Sequence, residues 1–206
     1  MKNIYIIGAQ STGKTTLVNA LEAYWADITP ENSSQRPRMV REVARTILEK
    51  EPSHREDMLT SPTRALQLQQ LILASQYDAE TRVRAANACT WYICDRSGLD
   101  PIVYAKCFVG EDAAAEMLAS EVWQELEDRM KEGLVITCEA GCHWLVDDGL
   151  RLMPKNVEEW MRVDAAFREL LEERGIGFSV VPKDMVDLHE RVQYVRRQFM
   201  DSQKPM

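Results

Sequence analysis

GAQSTGKT, Gly8 to Thr15, follows directly on a short apolar run, Asn3-Ile4-Tyr5-Ile6-Ile7, near the start of the chain. Gly8, four intervening residues, Gly13, Lys14 and Thr15 complete the pattern G-x-x-x-x-G-K-[ST] without a mismatch. The run ahead reads as a buried strand, and Leu17, Val18 and Leu21 behind it have helical spacing. Strand, loop and helix is the context in which this spacing binds phosphate. Glycines let the loop wrap an anion with its backbone N–H groups inward, and the helix turns its positive N-terminal end to the same charge. The cradle is Gly8, Ala9, Gln10, Ser11, Thr12, Gly13, Lys14, Thr15 and Thr16. Lys14 is expected to reach the β- and γ-phosphates, facing solvent and phosphate and not the core, and the Thr15 hydroxyl to ligate Mg²⁺.

The 206 residues contain no Pro/Gly/Ser-rich linker and no internal repeat, which predicts one domain over 1–206. A formal net charge of −8 argues against broad binding to nucleic acid or to anionic membranes, since both need a positive field. The only N-terminal apolar stretch is too short for a signal sequence, and no later run is long enough to span a bilayer. A soluble, cytoplasmic protein is expected. Five cysteines, with Cys94 and Cys138 inside apolar runs, read as core thiols. Cys138-x-x-x-Cys142-His143 offers three zinc-type ligands but lacks a fourth, and reads instead as a strand-end cysteine beside a glycine turn.

Along the chain, 29–36 is a polar loop and 38–40 a second strand, leading into a helix over 42–48 that Pro52 closes. Ser61-Pro62 is a helix start, and 63–88 is free of Gly and Pro, predicting a long helix. A third strand spans 90–94 and ends at Asp95-Arg96-Ser97-Gly98. Helices follow over 101–108 and 113–131, then a fourth strand over 134–138 and a polar turn, Asp147-Asp148-Gly149-Leu150-Arg151. A charged helix over 157–174 ends at Gly175, a fifth strand spans 177–181, and an amphipathic helix 188–199 closes the chain. Strands alternating with helices imply a parallel sheet covered on both faces, with ligands at the carboxyl ends of its strands.

The chemically useful residues fall at those ends. Glu42 and Arg45 follow the second strand, Asp95 and Arg96 the third, and Arg151 lies beyond the fourth. In a phosphate-loop protein an acid ending a neighbouring strand binds Mg²⁺ directly or through water, a role that Asp95 fits; its alternative is to cap the next helix. Arg96 reads as a holder of Asp95 or as a bidentate phosphate clamp. Arg151, Lys155, Arg162 and Arg168 form a basic run where a closing lid would lie. Arg162 and Arg168 also have Glu158, Glu159 and Glu172 at helical spacing, so Arg151 is the stronger candidate.

Taken in order, GAQSTGKT, REVAR after the second strand, DRS after the third and WLVDDGLR after the fourth resemble the ribosylnicotinamide-kinase-like P-loop family, an AAA-labelled branch close to nucleoside and nucleotide kinases. The resemblance runs from residue 2 to about residue 181. It implies a three-layer α/β P-loop NTPase fold with five parallel strands in the order 2-3-1-4-5. It also implies ATP as phosphoryl donor, with Mg²⁺, and a nucleoside-like small-molecule acceptor between the long helix and the ends of strands two and three. In that order Asp95 lies beside the phosphate loop as metal ligand. Glu42 lies one strand further out, where a base would meet the acceptor hydroxyl; Glu42, Arg45 and Arg96 then line the acceptor site, and Lys14 and Arg151 attend the transferred group. No nucleotidyltransferase portion precedes the phosphate loop in this sequence, unlike the bifunctional bacterial members. The competing expectation is a GTP- or ATP-binding switch without an acceptor, because Asp95-Arg96-Ser97-Gly98 also satisfies D-x-x-G. Against it, no N-K-x-D guanine-reading motif occurs in the chain.

Overall fold

The structure, a computed structural model, describes residues 1–31, 33–50, 60–86, 91–143, 154 and 156–204. Its elements in chain order are β1 (Ile4–Ile7), α1 (Lys14–Ile28), β2 (Arg38–Val40), α2 (Val43–Lys50), α3 (Pro62–Ala85), β3 (Tyr92–Asp95) and α4 (Leu99–Phe108). There follow α5 (Glu111–Leu118), α6 (Glu121–Glu132), β4 (Leu134–Cys138), α7 (Val157–Glu173), β5 (Phe178–Val181) and α8 (Leu188–Ser202).

All strand pairs are parallel and the sheet order is β2-β3-β1-β4-β5, as the alternation of elements and the family resemblance imply. Successive residues of a strand face opposite ways, so a strand covered on both faces must be apolar throughout. Strand β1 meets that demand, with Ile4 through Ile7 wholly buried. Ile4 and Ile6 join Leu17, Val18, Leu21 and Trp25 of α1 and Val192, Val195 and Phe199 of α8 on one face. Tyr5 and Ile7 join the apolar residues of α4, α6 and α7 on the other. Three layers result, and every strand delivers its carboxyl end to the same edge.

Helix α3 is fixed by Ser61, whose hydroxyl accepts from Arg64 N–H, with Pro62 in the first turn as the sequence indicates. Its inner face carries a buried acid, Glu80, that accepts from Gln76 at 2.9 Å, Tyr92 at 2.9 Å and Tyr5 at 3.2 Å. Those bonds offset the cost of placing a carboxyl there.

Several boundaries differ from expectation. The stretch 113–131 is two helices, because Ser120 caps α6 by accepting from Trp123 N–H and its hydroxyl donates back to Met117 O. Helix α3 ends at Ala85, with Ala86 extended. Strand β3 starts at Tyr92 and includes Asp95, paired beside Ile6 of β1. Glu42 stands just ahead of α2, which begins at Val43. Pro52 and the turn from Asp147 to Arg151 lie outside the described residues. No helix among the described residues is long and apolar enough to cross a membrane.

Candidate active site

The loop between β1 and α1 forms one wall of the crevice. Gly8 has φ of 127°, and a Cβ there would lie 2.6 Å from Cys138 O of β4, so only glycine lets the loop leave the sheet at this point. Gly13, at φ 83°, serves as the N-cap of α1. Ser11 also has positive φ, 57°, which lets successive peptides turn their N–H groups to one side.

Lys14 departs from the sequence reading. It is 5% exposed and not solvent-facing, with Nζ donating to Ala9 O and, at 3.3 Å, to Thr12 Oγ1. Its ammonium is thus held by a carbonyl and a hydroxyl oxygen of its own loop. Burial, and then the like charge of Arg96, lower its pKa to about 8.

This shift has a measurable sign. In the unfolded chain the lysine keeps its ordinary value of 10.5. Between pH 8 and 10.5 the unfolded chain therefore binds a proton that the folded chain lacks, and stability from this group rises with pH; below pH 8 it is at its minimum. Melts of ligand-free wild type and Lys14→Met, compared from about pH 7 to about pH 9.5, are expected to show wild type gaining on the variant as pH rises. A constant difference would contradict the buried lysine.

Asp95 closes β3 beside the loop. Its side chain is buried, and Oδ1 accepts no hydrogen bond from the described residues. It does not cap the following helix. The N-cap position is Gly98, and the bonds there are local: Ser97 Oγ accepts from Leu99 N, the first N–H of α4, at 3.1 Å, and Asp100 Oδ2 accepts from Ser97 N at 2.8 Å and Ser97 Oγ at 3.0 Å. A buried carboxylate oxygen without a hydrogen bond, at the end of the strand beside β1, which leads into the phosphate loop, fits a hard divalent cation that takes oxygen ligands.

Arg96 turns away from Asp95. At φ 81° it is one of two non-glycine residues with positive φ among those described, and its N–H holds Ile6 O at 3.0 Å. The guanidinium, 7% exposed as a residue, donates from Nε to Glu42 Oε1 at 2.7 Å and from Nη1 to Asp100 Oδ1 at 3.1 Å. Burial opposes its charge, but Glu42, Tyr104 and Asp100 outweigh that and keep the arginine firmly protonated. Burial likewise pushes the Asp100 carboxyl up, against the pull of Arg96 and Lys14. Arg45 approaches Glu42 Oε2 at 3.6 Å. Glu42, Arg45 and Arg96 thus converge at the ends of β2 and β3, with Arg96 as partner of Glu42 and not of Asp95. A strained backbone holding a buried charge is characteristic of functional sites.

Sequence reasoning missed the residues that join this cluster to the loop. Tyr104, on α4 one turn past Asp100, donates to Gln10 Oε1 at 2.7 Å. Trp160 Nε1 of α7 donates to Gln10 O at 2.8 Å, and Arg191 Nη1 of α8 to Thr12 O at 3.1 Å. Only Asp100 had a local signal, the S-x-x-D spacing from Ser97. Of the basic run, Arg168 pairs with Asp164 at 3.0 Å and Glu139 at 3.2 Å instead of Glu172, and Arg162 lies over the Phe108 ring; Arg151 and Lys155 lie outside the described residues. Among the described residues no group of three or more acids, histidines or cysteines could hold a metal.

The fold is shared with solved kinases. Deoxyadenosine kinase from M. mycoides with bound dATP superposes with a TM-score of 0.69 at 14% identity, over 96% of this chain and 99% of that one. A NadR protein in complex with NR gives 0.66 at 21% identity over 100% of this chain but 51% of that one, so the chain spans about half of its length. Thymidylate kinase from Ehrlichia chaffeensis gives 0.57 at 18% identity, over 96% and 98% of the two chains. None of the curated proteins matches the sequence. A family model described as an AAA domain matches residues 3–191, from the first strand through the first turn of α8, and the chain belongs to this AAA domain family of P-loop proteins.

Proposed function

We propose that the protein is an ATP-dependent small-molecule kinase that moves the γ-phosphoryl group to a hydroxyl or phosphate of a nucleoside-like acceptor. The observation that carries this reading is the second built site beside the phosphate loop: Glu42, Arg96 and Asp100, all buried, bonded to one another at 2.7 and 3.1 Å, at the edge where β2 and β3 end. A buried acid held by two arginines at the ends of β2 and β3 suits a second, acceptor-binding site better than nucleotide binding alone. The kinase names of its fold neighbours support the same class.

In this reading the loop from Gly8 to Thr16 holds the phosphates, and Lys14 leaves Ala9 O and Thr12 Oγ1 for the β- and γ-phosphates. Thr15 and Asp95 would hold Mg²⁺, and the chemistry it would supply is positive charge at the phosphate oxygens. Glu42, oriented by Arg96 and Arg45, accepts the acceptor's proton as its oxygen bonds to phosphorus and the bond to the β-phosphate oxygen breaks, leaving ADP. Asp100 keeps Arg96 in place. Positively charged Arg96 and Arg45 also suit an acceptor that carries an oxyanion.

Arg151 belongs to the same proposal as a lid residue over the transferred group. Arg151→Ala is expected to lower kcat by ~10²-fold with a smaller effect on ATP affinity, the scale of one lost transition-state donor. Weakened ATP binding with normal kcat would place it on the ground-state nucleotide instead.

The switch reading rests on Gly98 of D-x-x-G. That glycine has an ordinary φ of −65°, and a Cβ on it would sit 2.6 Å from Leu126 Cδ1, so close packing of α4 on α6 accounts for it without a phosphate. A thermal-shift screen of nucleosides, nucleotides and nicotinamide riboside, with Mg²⁺ and a non-hydrolysable ATP analogue, tests the proposal, because a ligand bound by the native state alone raises the melting temperature. Stabilisation by one acceptor class on top of the analogue is the expected result. Stabilisation by GTP and GDP alone would favour the switch.

A further inference from the structure

Donors from three separate parts of the chain take three consecutive carbonyls of the phosphate loop from its outer side. Trp160 Nε1 meets Gln10 O at 2.8 Å, Cys142 Sγ meets Ser11 O at 3.7 Å, and Arg191 Nη1 meets Thr12 O at 3.1 Å. The described peptides are all trans, so each carbonyl points opposite to the N–H of the next residue. Drawing the oxygens of Gln10, Ser11 and Thr12 outward therefore turns the N–H groups of Ser11, Thr12 and Gly13 inward, toward the anion that the loop would enclose. Ala9 O is handled differently: it accepts from Thr12 Oγ1 and Lys14 Nζ inside the loop.

We propose that Arg191 and Trp160 are positioning residues for nucleotide binding, acting on the phosphates through the backbone they hold and not by contact. The claim rests on the reading of this loop as a nucleotide-phosphate site. Trp160 is 2% exposed and packs among the α4 and α7 side chains, so its indole N–H arrives at Gln10 O from a rigid base. Arg191 is 3% exposed, and its Nε donates to Met185 O at 2.8 Å. A buried guanidinium is costly to desolvate, and these two bonds to main-chain oxygens tie residues 182–187 after β5 to the phosphate loop. The contact of the Cys142 thiol, a weak donor at 3.7 Å, completes the row.

The test measures the affinity of folded wild type, Trp160→Phe, Arg191→Met and Arg191→Lys for Mg²⁺-ATP and for tripolyphosphate, alongside ligand-free melting and kcat at saturating ATP. Trp160→Phe removes one N–H and no charge. It is expected to weaken both ligands about fivefold, the worth of one hydrogen bond. Arg191→Met is expected to weaken them about tenfold or more, and Arg191→Lys to recover part of that. In each case kcat should stay within about twofold, because the loss is one of ground-state binding. Unchanged affinities in folded variants would overturn the proposal, and so would a loss confined to Arg191→Met, which would mean that the arginine acts by charge alone. If Arg191→Met does not fold, Trp160→Phe decides. Failure of wild type itself to bind ATP or tripolyphosphate would instead sink the phosphate-loop reading on which the proposal stands.

Discussion

Lys14→Met is expected to reduce ATP turnover by on the order of 10³-fold, while the ligand-free variant melts at or above the wild-type temperature. The two halves have one cause. The Lys14 ammonium is buried and lies in the field of Arg96, which is why its pKa falls to about 8. Near neutral pH the folded protein therefore carries a desolvated charge that the unfolded chain would rather solvate, and removing it relieves that penalty. The hydrogen bonds to Ala9 O and Thr12 Oγ1 offset part of the relief, since their loss leaves two loop oxygens with one donor fewer. If both halves are observed, the group that costs the protein stability is the one turnover needs, a common trade at a site built for a charged ligand. Assays are a coupled ATPase or transfer measurement, an ATP titration and a melt at one pH. Retained ATP affinity and turnover in a variant with an unaltered melt would remove Lys14 from the reaction.

The second large effect is expected at Glu42. Glu42→Gln keeps the shape of the side chain and one oxygen that can accept from Arg96, but it removes the charge that would take the acceptor proton. Transfer should fall by ~10²–10⁴-fold, the usual range for a general base, although a dissociative transition state places the loss toward the lower end. Binding of Mg²⁺-ATP should persist. Some stability is lost as well, about 1–3 kcal/mol, because Arg96 exchanges a charged partner at 2.7 Å for a neutral one and keeps Asp100 at 3.1 Å. The companion variant, Asp95→Asn, should raise the Mg²⁺ concentration needed for activity with little effect on acceptor affinity, since Oδ1 is the buried oxygen left for a cation. Exchange of the two phenotypes would reverse the roles. Full activity of Glu42→Gln with a known acceptor would end the base assignment.

Much of this was legible in the sequence because it is local. A strand, a glycine loop and a helix within 25 residues declare the phosphate loop, and four further apolar runs between helices declare a parallel sheet. Placement of polar residues at strand ends brought out Glu42, Arg45, Asp95 and Arg96 for the same reason. Their pairing was not legible. Adjacency in sequence suggested Arg96 for Asp95, but positive φ at Arg96 sends its side chain across to Glu42, 54 residues away. The contacts of Gln10 with Tyr104 and Trp160, and of Thr12 with Arg191, span 94, 150 and 179 residues, and no local pattern encodes them. The split of 113–131 at Ser120 was hidden because Ala119 and Glu121 on either side are good helix formers, and only the cap bond to Trp123 gives it away. The burial of Lys14 was not legible either: the motif gives its place in the loop, whereas its partners, Ala9 O and Thr12 Oγ1, follow from how the loop folds back on itself.

Phosphoryl transfer is tested most directly by following ATP and acceptor together by mass spectrometry. Wild-type protein is incubated with Mg²⁺-ATP and a panel of nucleosides and nucleoside monophosphates, and then with Mg²⁺-GTP in the same way. One acceptor class is expected to gain a single phosphoryl group in step with the ADP formed, and this gain should disappear in Glu42→Gln. Slow hydrolysis at a rate that no acceptor changes, with GTP and GDP retained on the protein, would contradict the kinase reading.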